Sequence, residues 1–200
     1  MANMSTTSFL ASVGPEVLER ARRIKLFLMD VDGTLTDGGV CLIGPTHVDG
    51  DPRAHLDTVT EMKVFNAQDG QGLSLAATMG IETGFITGRR SPAVAKRAAE
   101  LKVRFVYLGQ ASKMKAYDEC LEQAGVTEDE VAYLGDDLPD MPLAKRSGLA
   151  VCVADGAQEL KDVCHWTTTR NGGRGAAREV VELILKAQGR WEEAVPKALA

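Results

Sequence analysis

Asp30 and Asp32 stand two residues apart at the end of a mostly apolar run, Ile24 to Met29, and are followed by Gly33 and Thr34. A carboxylate is ionised at neutral pH and can attack phosphorus, because the acyl phosphate it forms stays easily hydrolysed. A second carboxyl beside it can give a proton to a leaving oxygen and take one from water, if its neighbour and partial burial raise its pKa. Three further stretches supply what such a pair lacks. Thr87-Gly88-Arg89 offers a hydroxyl donor and a backbone that permits close approach, Lys113 a fixed cation, and Gly135-Asp136-Asp137 an acidic site for a divalent metal. Two carboxylates repel a phosphate dianion by several kcal/mol in a poorly solvated site, so a cation is required. An Asp30 oxygen, the Asp32 carbonyl and Asp136 are the expected share of an Mg²⁺ octahedron, with Asp137 supporting them through hydrogen bonds. Gly33, Thr34 and Gly88 are candidate substrate-binding positions beside them.

These residues need elements that deliver them to one place. Apolar segments recur at Ile24 to Met29, Glu82 to Ile86, Arg104 to Leu108, Val131 to Leu134 and Leu149 to Val153, with helix-like stretches between them. That alternation predicts a parallel sheet of α/β type with helices on both faces, three layers in all. Ligands of such sheets bind beyond the carboxyl ends of the strands, where all four chemical stretches fall. Ser91-Pro92 reads as a helix start, and Gly80, Gly125 and Gly148 as helix stops. Ala176, Val180, Ile184 and Ala187 fall at helical spacing and predict a final amphipathic helix. Between Asp37 and Phe65 the alternation breaks into two β-like runs, Val40 to Ile43 and Thr58 to Val64, which predict a projecting hairpin. Its tip, Gly44 to Asp57, is polar and rich in glycine, proline and aspartate, as a mobile surface loop is.

With 200 residues, the chain suits one domain, 1–200, with a hairpin insertion at about 38–65 and a tail at 189–200. An aromatic content of 5% and a formal charge of −5 disfavour stacking on nucleic-acid bases or binding to anionic membranes. They leave room for one cationic pocket that takes a small anion. Cys41, Cys120, Cys152 and Cys164 form no CxxC pair, so reduced thiols are expected rather than a zinc knuckle or a redox dithiol. No segment approaches the roughly 20 apolar residues of a membrane span. A cytoplasmic location is the expectation.

The order DxDGT, threonine after a strand, lysine, then GDD resembles the haloacid dehalogenase superfamily of aspartate-nucleophile phosphatases. The resemblance extends over Asp30 to Gly38, Phe65-Asn66 with Asp69-Gly70, Ile86 to Arg89, Gly109-Gln110 with Lys113, Gly135 to Leu138 with Asp140, and Gly172 to Ala176. In this breadth it is similar to the branch that removes phosphate from eight-carbon 3-deoxy sugar acids, in the making of lipopolysaccharide precursors. The resemblance implies a Rossmann-like domain without a large cap, Mg²⁺ dependence, an aspartyl-phosphate intermediate, and a homotetramer whose subunits help to close each other's sites. It also implies that Arg89 is a substrate contact in its own site and that Arg174, near the C-terminus, is one in an adjacent subunit's site, both able to pair with the carboxylate of a phosphorylated sugar acid. The hairpin tip is longer than that branch leads one to expect and carries His47, Asp49, Asp51, His55 and Asp57. A second metal site there is conceivable, but a polar loop accounts for these residues more simply.

Three other readings use the same residues. A phosphatase of a nine-carbon, sialic-type sugar acid 9-phosphate would keep the catalytic core and change only the leaving-group contacts. A signalling receiver domain also gathers an aspartate, an acidic pair, a threonine and a lysine around Mg²⁺, but places the acidic pair on its first strand, opposite to the order here. A catalytically silent assembly module would not need the intact set of acids and bases.

Overall fold

The computed structural model describes residues 4–45, 50, 51, 53 and 57–198, excluding the side chains of Met4 and Ser5. In chain order the strands are β1 (Leu26–Met29), β2 (Cys41–Ile43), β3 (Thr60–Met62), β4 (Glu82–Thr87), β5 (Phe105–Leu108), β6 (Val131–Gly135), β7 (Leu149–Cys152) and β8 (Trp166–Thr167). The helices are α1 (Met4–Ala11), α2 (Pro15–Arg22), α3 (Ala67–Thr78), α4 (Pro92–Glu100), α5 (Lys113–Ala124), α6 (Met141–Ala144), α7 (Gln158–Lys161), α8 (Ala176–Ala187) and α9 (Trp191–Lys197). Six strands make one parallel sheet in the order β5-β4-β1-β6-β7-β8, while β2 and β3 pair separately as an antiparallel hairpin.

All four residues of β1 are buried, as in a central strand covered on both faces. Side chains alternate along a strand, so Phe27 and Met29 enter one core with α3 and α8, and Leu26 and Leu28 enter the other with Tyr117 and Cys120 of α5. The first core is the larger, because α8 buries Val180, Val181, Leu183, Ile184 and Leu185 together. Its apolar face is wider than the spacing of four residues suggested: α2 and α3 both pack against it. Two elements absent from the sequence reading, α2 and α9, close this layer. Val17 and Ala21 of α2 are buried, and Trp191 of the tail stacks under the Arg178 guanidinium, 5.5 Å from its ring centre.

Ser91 and Pro92 begin α4 as expected, and Gly80 and Gly125 follow α3 and α5 in the left-handed conformation. Gly148 is different. It ends no helix: a Cβ there would stand 2.3 Å from the Asp129 carbonyl oxygen, so it marks a close approach of two backbones before β7.

The hairpin register pairs Cys41 with Met62, Leu42 with Glu61 and Ile43 with Thr60. It leaves Val40, Leu42, Ile43, Met62 and Val64 exposed on the single chain. At the tip, Asp51 accepts a hydrogen bond from the Arg53 amide at 3.0 Å. His47, Asp49 and His55 lie outside the described residues, as does much of the segment expected to be a mobile loop.

Candidate active site

The parallel order puts β1 between β4 and β6, so residues that leave these three strands at their carboxyl ends become neighbours. Asp30 follows β1 and its amide donates to the Leu134 carbonyl at 3.0 Å; Thr87 ends β4, Asp136 follows β6, and Lys113 opens α5 after β5. Asp30, Asp32, Thr87, Gly88, Arg89 and Lys113 line one cavity of about 520 Å³. A larger cavity of about 840 Å³ lies at the opposite, amino end of the strands, beside Arg23, Lys25, Asp129 and Glu130. Among its charges Lys25 pairs with Glu130 at 2.5 Å and Arg23 with Asp129 at 3.7 Å, while Arg22 pairs with Glu19 outside the lining and Arg190 donates to Gln188, and none of the motif residues lines it.

Lys113 is buried, with its ammonium 2.8 Å from Asp30 Oδ1 and 2.6 Å from Asp140 Oδ1. Burial alone would lower its pKa, but the two carboxylates outweigh that and hold it above the ordinary lysine value. Asp140 also accepts from the Tyr133 hydroxyl at 2.7 Å and, through Oδ2, from the amides of Asp136 at 3.0 Å and Asp137 at 3.4 Å. Four donors thus occupy the acceptor sites of one carboxylate. Asp136 receives the Thr34 hydroxyl at 3.1 Å. Carboxylate oxygens of Asp30, Asp136 and Asp140 all fall within 4.8 Å of one another.

Burial raises Asp30 to about 6 despite Lys113, and burial with the charges of Asp30 and Asp140 raises Asp136 to about 7. Crowded carboxylates with raised pKa values and oxygen-only donors suit a hard divalent cation, which fits Mg²⁺. Asp30 and Asp136 are the groups able to offer it oxygens, whereas Asp140 is committed to its four donors and braces the cluster from behind.

Gly33 lets the loop close. It adopts φ +86°, and a Cβ there would meet Asp136 Oδ2 at 2.1 Å. The loop is clasped by the segment before α8: the Gly173 amide donates to the Thr34 carbonyl at 2.9 Å, and a Cβ on Gly172 would stand 1.7 Å from the Gly33 oxygen. Asp69 in α3 completes the clasp by accepting from the amides of Gly175 and Arg178, each at 3.0 Å. The Asp69 and Gly172 to Ala176 stretches therefore act as braces for the Asp30 loop.

Two sequence assignments change. Asp137 turns away from the cluster and is exposed, its Oδ1 accepting from the Leu138 amide at 2.8 Å, so the supporting hydrogen bonds expected of it come from Asp140. Thr34 is fully buried with its hydroxyl on Asp136, where it orients that carboxylate instead of facing a phosphate. Arg174, expected at an adjacent subunit's site, lines a separate cavity of its own chain and pairs there with Asp37 at 3.2 Å. By contrast, Thr87 sits at the cavity with its oxygen accepting from the Arg89 amide at 3.4 Å, which leaves its proton to donate.

Two residues went unnoticed in the sequence, Lys63 and Glu61, both at the base of the hairpin. The Lys63 ammonium meets Asp32 Oδ1 and lies 3.4 Å from Glu61, and its side chain is only 2% exposed. Glu61 in turn accepts from Arg89 at 2.6 Å, and Arg89 Nε lies 3.9 Å from Asp32 Oδ2. A single charged residue after a strand of alternating polarity carries no local sign of such a contact.

A family model for haloacid dehalogenase-like hydrolases matches residues 100–180. The chain is 38% identical over 193 residues to the 3-deoxy-D-manno-octulosonate 8-phosphate phosphatase of Salmonella typhimurium, covering 96% of both chains. The crystal structure of the phosphatase of that name from Yersinia pestis superposes with a TM-score of 0.80 at 39% identity, covering 90% of each chain. That from Moraxella catarrhalis, in complex with magnesium, phosphate and a KDO molecule, superposes with a TM-score of 0.80 at 38% identity, over 91% of this chain and 97% of that one. Identity of this extent over nearly the whole chain, with a fold that superposes, is that of common descent: the chain belongs to the 3-deoxy-D-manno-octulosonate 8-phosphate phosphatase family of the haloacid dehalogenase-like hydrolases.

Proposed function

We propose that the protein is an Mg²⁺-dependent phosphoric monoester hydrolase that converts 3-deoxy-D-manno-octulosonate 8-phosphate into the free sugar acid and phosphate, in lipopolysaccharide precursor synthesis. The observation that carries this reading is the buried Lys113 ammonium between Asp30 and Asp140, with Asp136 alongside, at the carboxyl ends of adjacent strands. Family membership and the magnesium, phosphate and KDO bound to the Moraxella catarrhalis enzyme support the same substrate and metal.

In this reading an Asp30 oxygen forms a bond to phosphorus as the bond from phosphorus to the sugar oxygen breaks. The leaving oxygen keeps the electron pair and takes a proton from Asp32. Asp32 then removes a proton from water, whose oxygen attacks the aspartyl phosphate and releases Asp30 and inorganic phosphate. Lys113 and the Thr87 hydroxyl stabilise charge on the transferring oxygens, and Arg89 pairs with the sugar carboxylate. Bound at Asp30 and Asp136, with the Asp32 carbonyl as a further donor, Mg²⁺ would neutralise the repulsion between acids and phosphate.

The same reading includes a homotetramer in a cytoplasmic setting. Exposed Val40, Leu42, Ile43, Met62 and Val64 on the hairpin favour burial against further copies, and Arg174, remote from Asp30 in its own chain and held there by the exposed Asp37, would serve a neighbour's cavity. Four unpaired cysteines suit a reducing compartment. Among the described residues no helix is long and apolar enough to cross a membrane. Phosphate release from the eight-carbon 8-phosphate and from nine-carbon sugar acid 9-phosphates, with and without Mg²⁺, tests the proposal. Mg²⁺-dependent release favouring the former is expected; preference for the latter, or no release, would overturn it.

A further inference from the structure

Asp32, Lys63, Glu61 and Arg89 form a closed ring of alternating charge at the mouth of the cavity. Lys63 meets Asp32 Oδ1 and stands 3.4 Å from Glu61; Glu61 holds Arg89 at 2.6 Å; Arg89 returns to within 3.9 Å of Asp32 Oδ2. Two cations face two carboxylates, so the ring is neutral. Its two hairpin members come from β3 and the residue that follows it, about thirty positions after Asp32 in the chain.

The two oxygens of Asp32 are treated differently. Oδ1 is taken by Lys63, while Oδ2 is buried and has no hydrogen bond. The Lys63 side chain is 2% exposed, so its ammonium is not a solvated charge that happens to lie near an acid. A buried ammonium without partners would be costly, and its two partners are Asp32 and Glu61. Asp32 lies on a loop just past β1, where the side chain could take several rotamers. An anchor on one oxygen reduces that freedom and leaves the other as the oxygen that carries the proton.

We infer that Lys63 is a positioning residue for Asp32: by holding Oδ1 from the base of the hairpin, it fixes Oδ2 toward the leaving oxygen of the substrate. Glu61 is the second half of the device. It balances the Lys63 ammonium and ties Arg89 to the same ring, so that the proton-carrying oxygen and the arginine proposed for the sugar carboxylate are set by one element. The inference rests on the proposed phosphatase reaction, in which Asp32 gives its proton to the sugar oxygen as the phosphorus–oxygen bond breaks.

The experiment compares a sugar acid 8-phosphate, whose alkoxide must be protonated, with p-nitrophenyl phosphate, whose phenolate leaves unprotonated. For Lys63→Met, kcat on the sugar phosphate is expected to fall at least tenfold, with less than a threefold fall on p-nitrophenyl phosphate, and Lys63→Arg should recover part of the loss. Glu61→Gln, a change at a half-buried strand position, should show the same selectivity with a threefold or greater fall, which keeps the test available if Lys63→Met does not fold. Equal losses on both substrates would mean that the hairpin is merely structural, and an unchanged kcat on the sugar phosphate would mean that Lys63 does not position Asp32; either overturns the inference. If the wild-type protein hydrolyses neither ester, the phosphatase reading itself fails, a result distinct from both.

Discussion

Lys113 Nζ sits 2.6 Å from Asp140 Oδ1 and 2.8 Å from Asp30 Oδ1, so one ammonium bridges the proposed nucleophile to a carboxylate that never leaves the core. Asp140 is 1% exposed and receives Tyr133 and two backbone amides as well. The cation is therefore fixed before any substrate arrives, and no reorganisation is needed when charge develops on phosphorus.

Replacing Lys113 by Met removes that fixed charge and leaves two buried carboxylates facing each other. Turnover is expected to fall by about 10²–10³-fold from lost electrostatic stabilisation. Stability should fall by about 3 kcal/mol near pH 8, because breaking a buried pair strands its partner. Steady-state kinetics and denaturant unfolding check the two effects separately.

The Mg²⁺ response should depend on pH with a defined sign. Both Asp30 and Asp136 are raised in the folded protein above the ordinary aspartate value of 3.8, to about 6 and about 7. Between these values the native state holds more protons than the unfolded chain, so these groups make the metal-free protein less stable as pH rises from about 4 to 7. Mg²⁺ relieves that repulsion but must displace protons at low pH. The rise in Tm on adding Mg²⁺, read by calorimetry, should be larger at pH 7.5 than at pH 5 by about 3 °C or more.

Gly33→Ala separates metal binding from folding. The added methyl would press on Asp136 Oδ2, 2.1 Å away, at a backbone position of φ +86°. The strain costs about 1–2 kcal/mol of stability, as for an L-residue in the left-handed region. Displacement of Asp136 should weaken Mg²⁺ at least tenfold, measured as the concentration giving half-maximal phosphate release. A variant with wild-type Mg²⁺ dependence would show that Asp136 can shift without loss.

The parallel sheet was legible because β1, β4, β5, β6 and β7 are short, largely apolar runs separated by helix-like stretches, a local signal that both buried faces of β1 and β6 reinforce. Strand β8 was not, since its two residues, Trp166 and Thr167, are too few to carry a period. The residues around the cavity were readable in the same way, Asp30, Thr87 and Asp136 each lying at a strand end. What escaped depends on contacts between distant segments. Asp137 and Asp140 are both acidic residues near one strand end, and only the turn from Leu138 to Asp140 decides which of them faces inward. Lys63 reaches Asp32 across 31 positions through a hairpin whose place beside the sheet no local pattern announces. Gly148 looked like a helix stop because glycine serves both as a cap and as a point of close approach.

The covalent step at Asp30 is the centre of the account, and trapping it is the most direct test. Enzyme quenched in acid during turnover of a radiolabelled sugar acid phosphate, then reduced with borohydride, converts an aspartyl phosphate into homoserine that peptide mass spectrometry can locate. The account predicts label on the protein before reduction and homoserine at position 30 after it, dependent on Mg²⁺ and lost in Asp30→Asn. Continued phosphate release with no label on the protein, or label at any other residue, would contradict it.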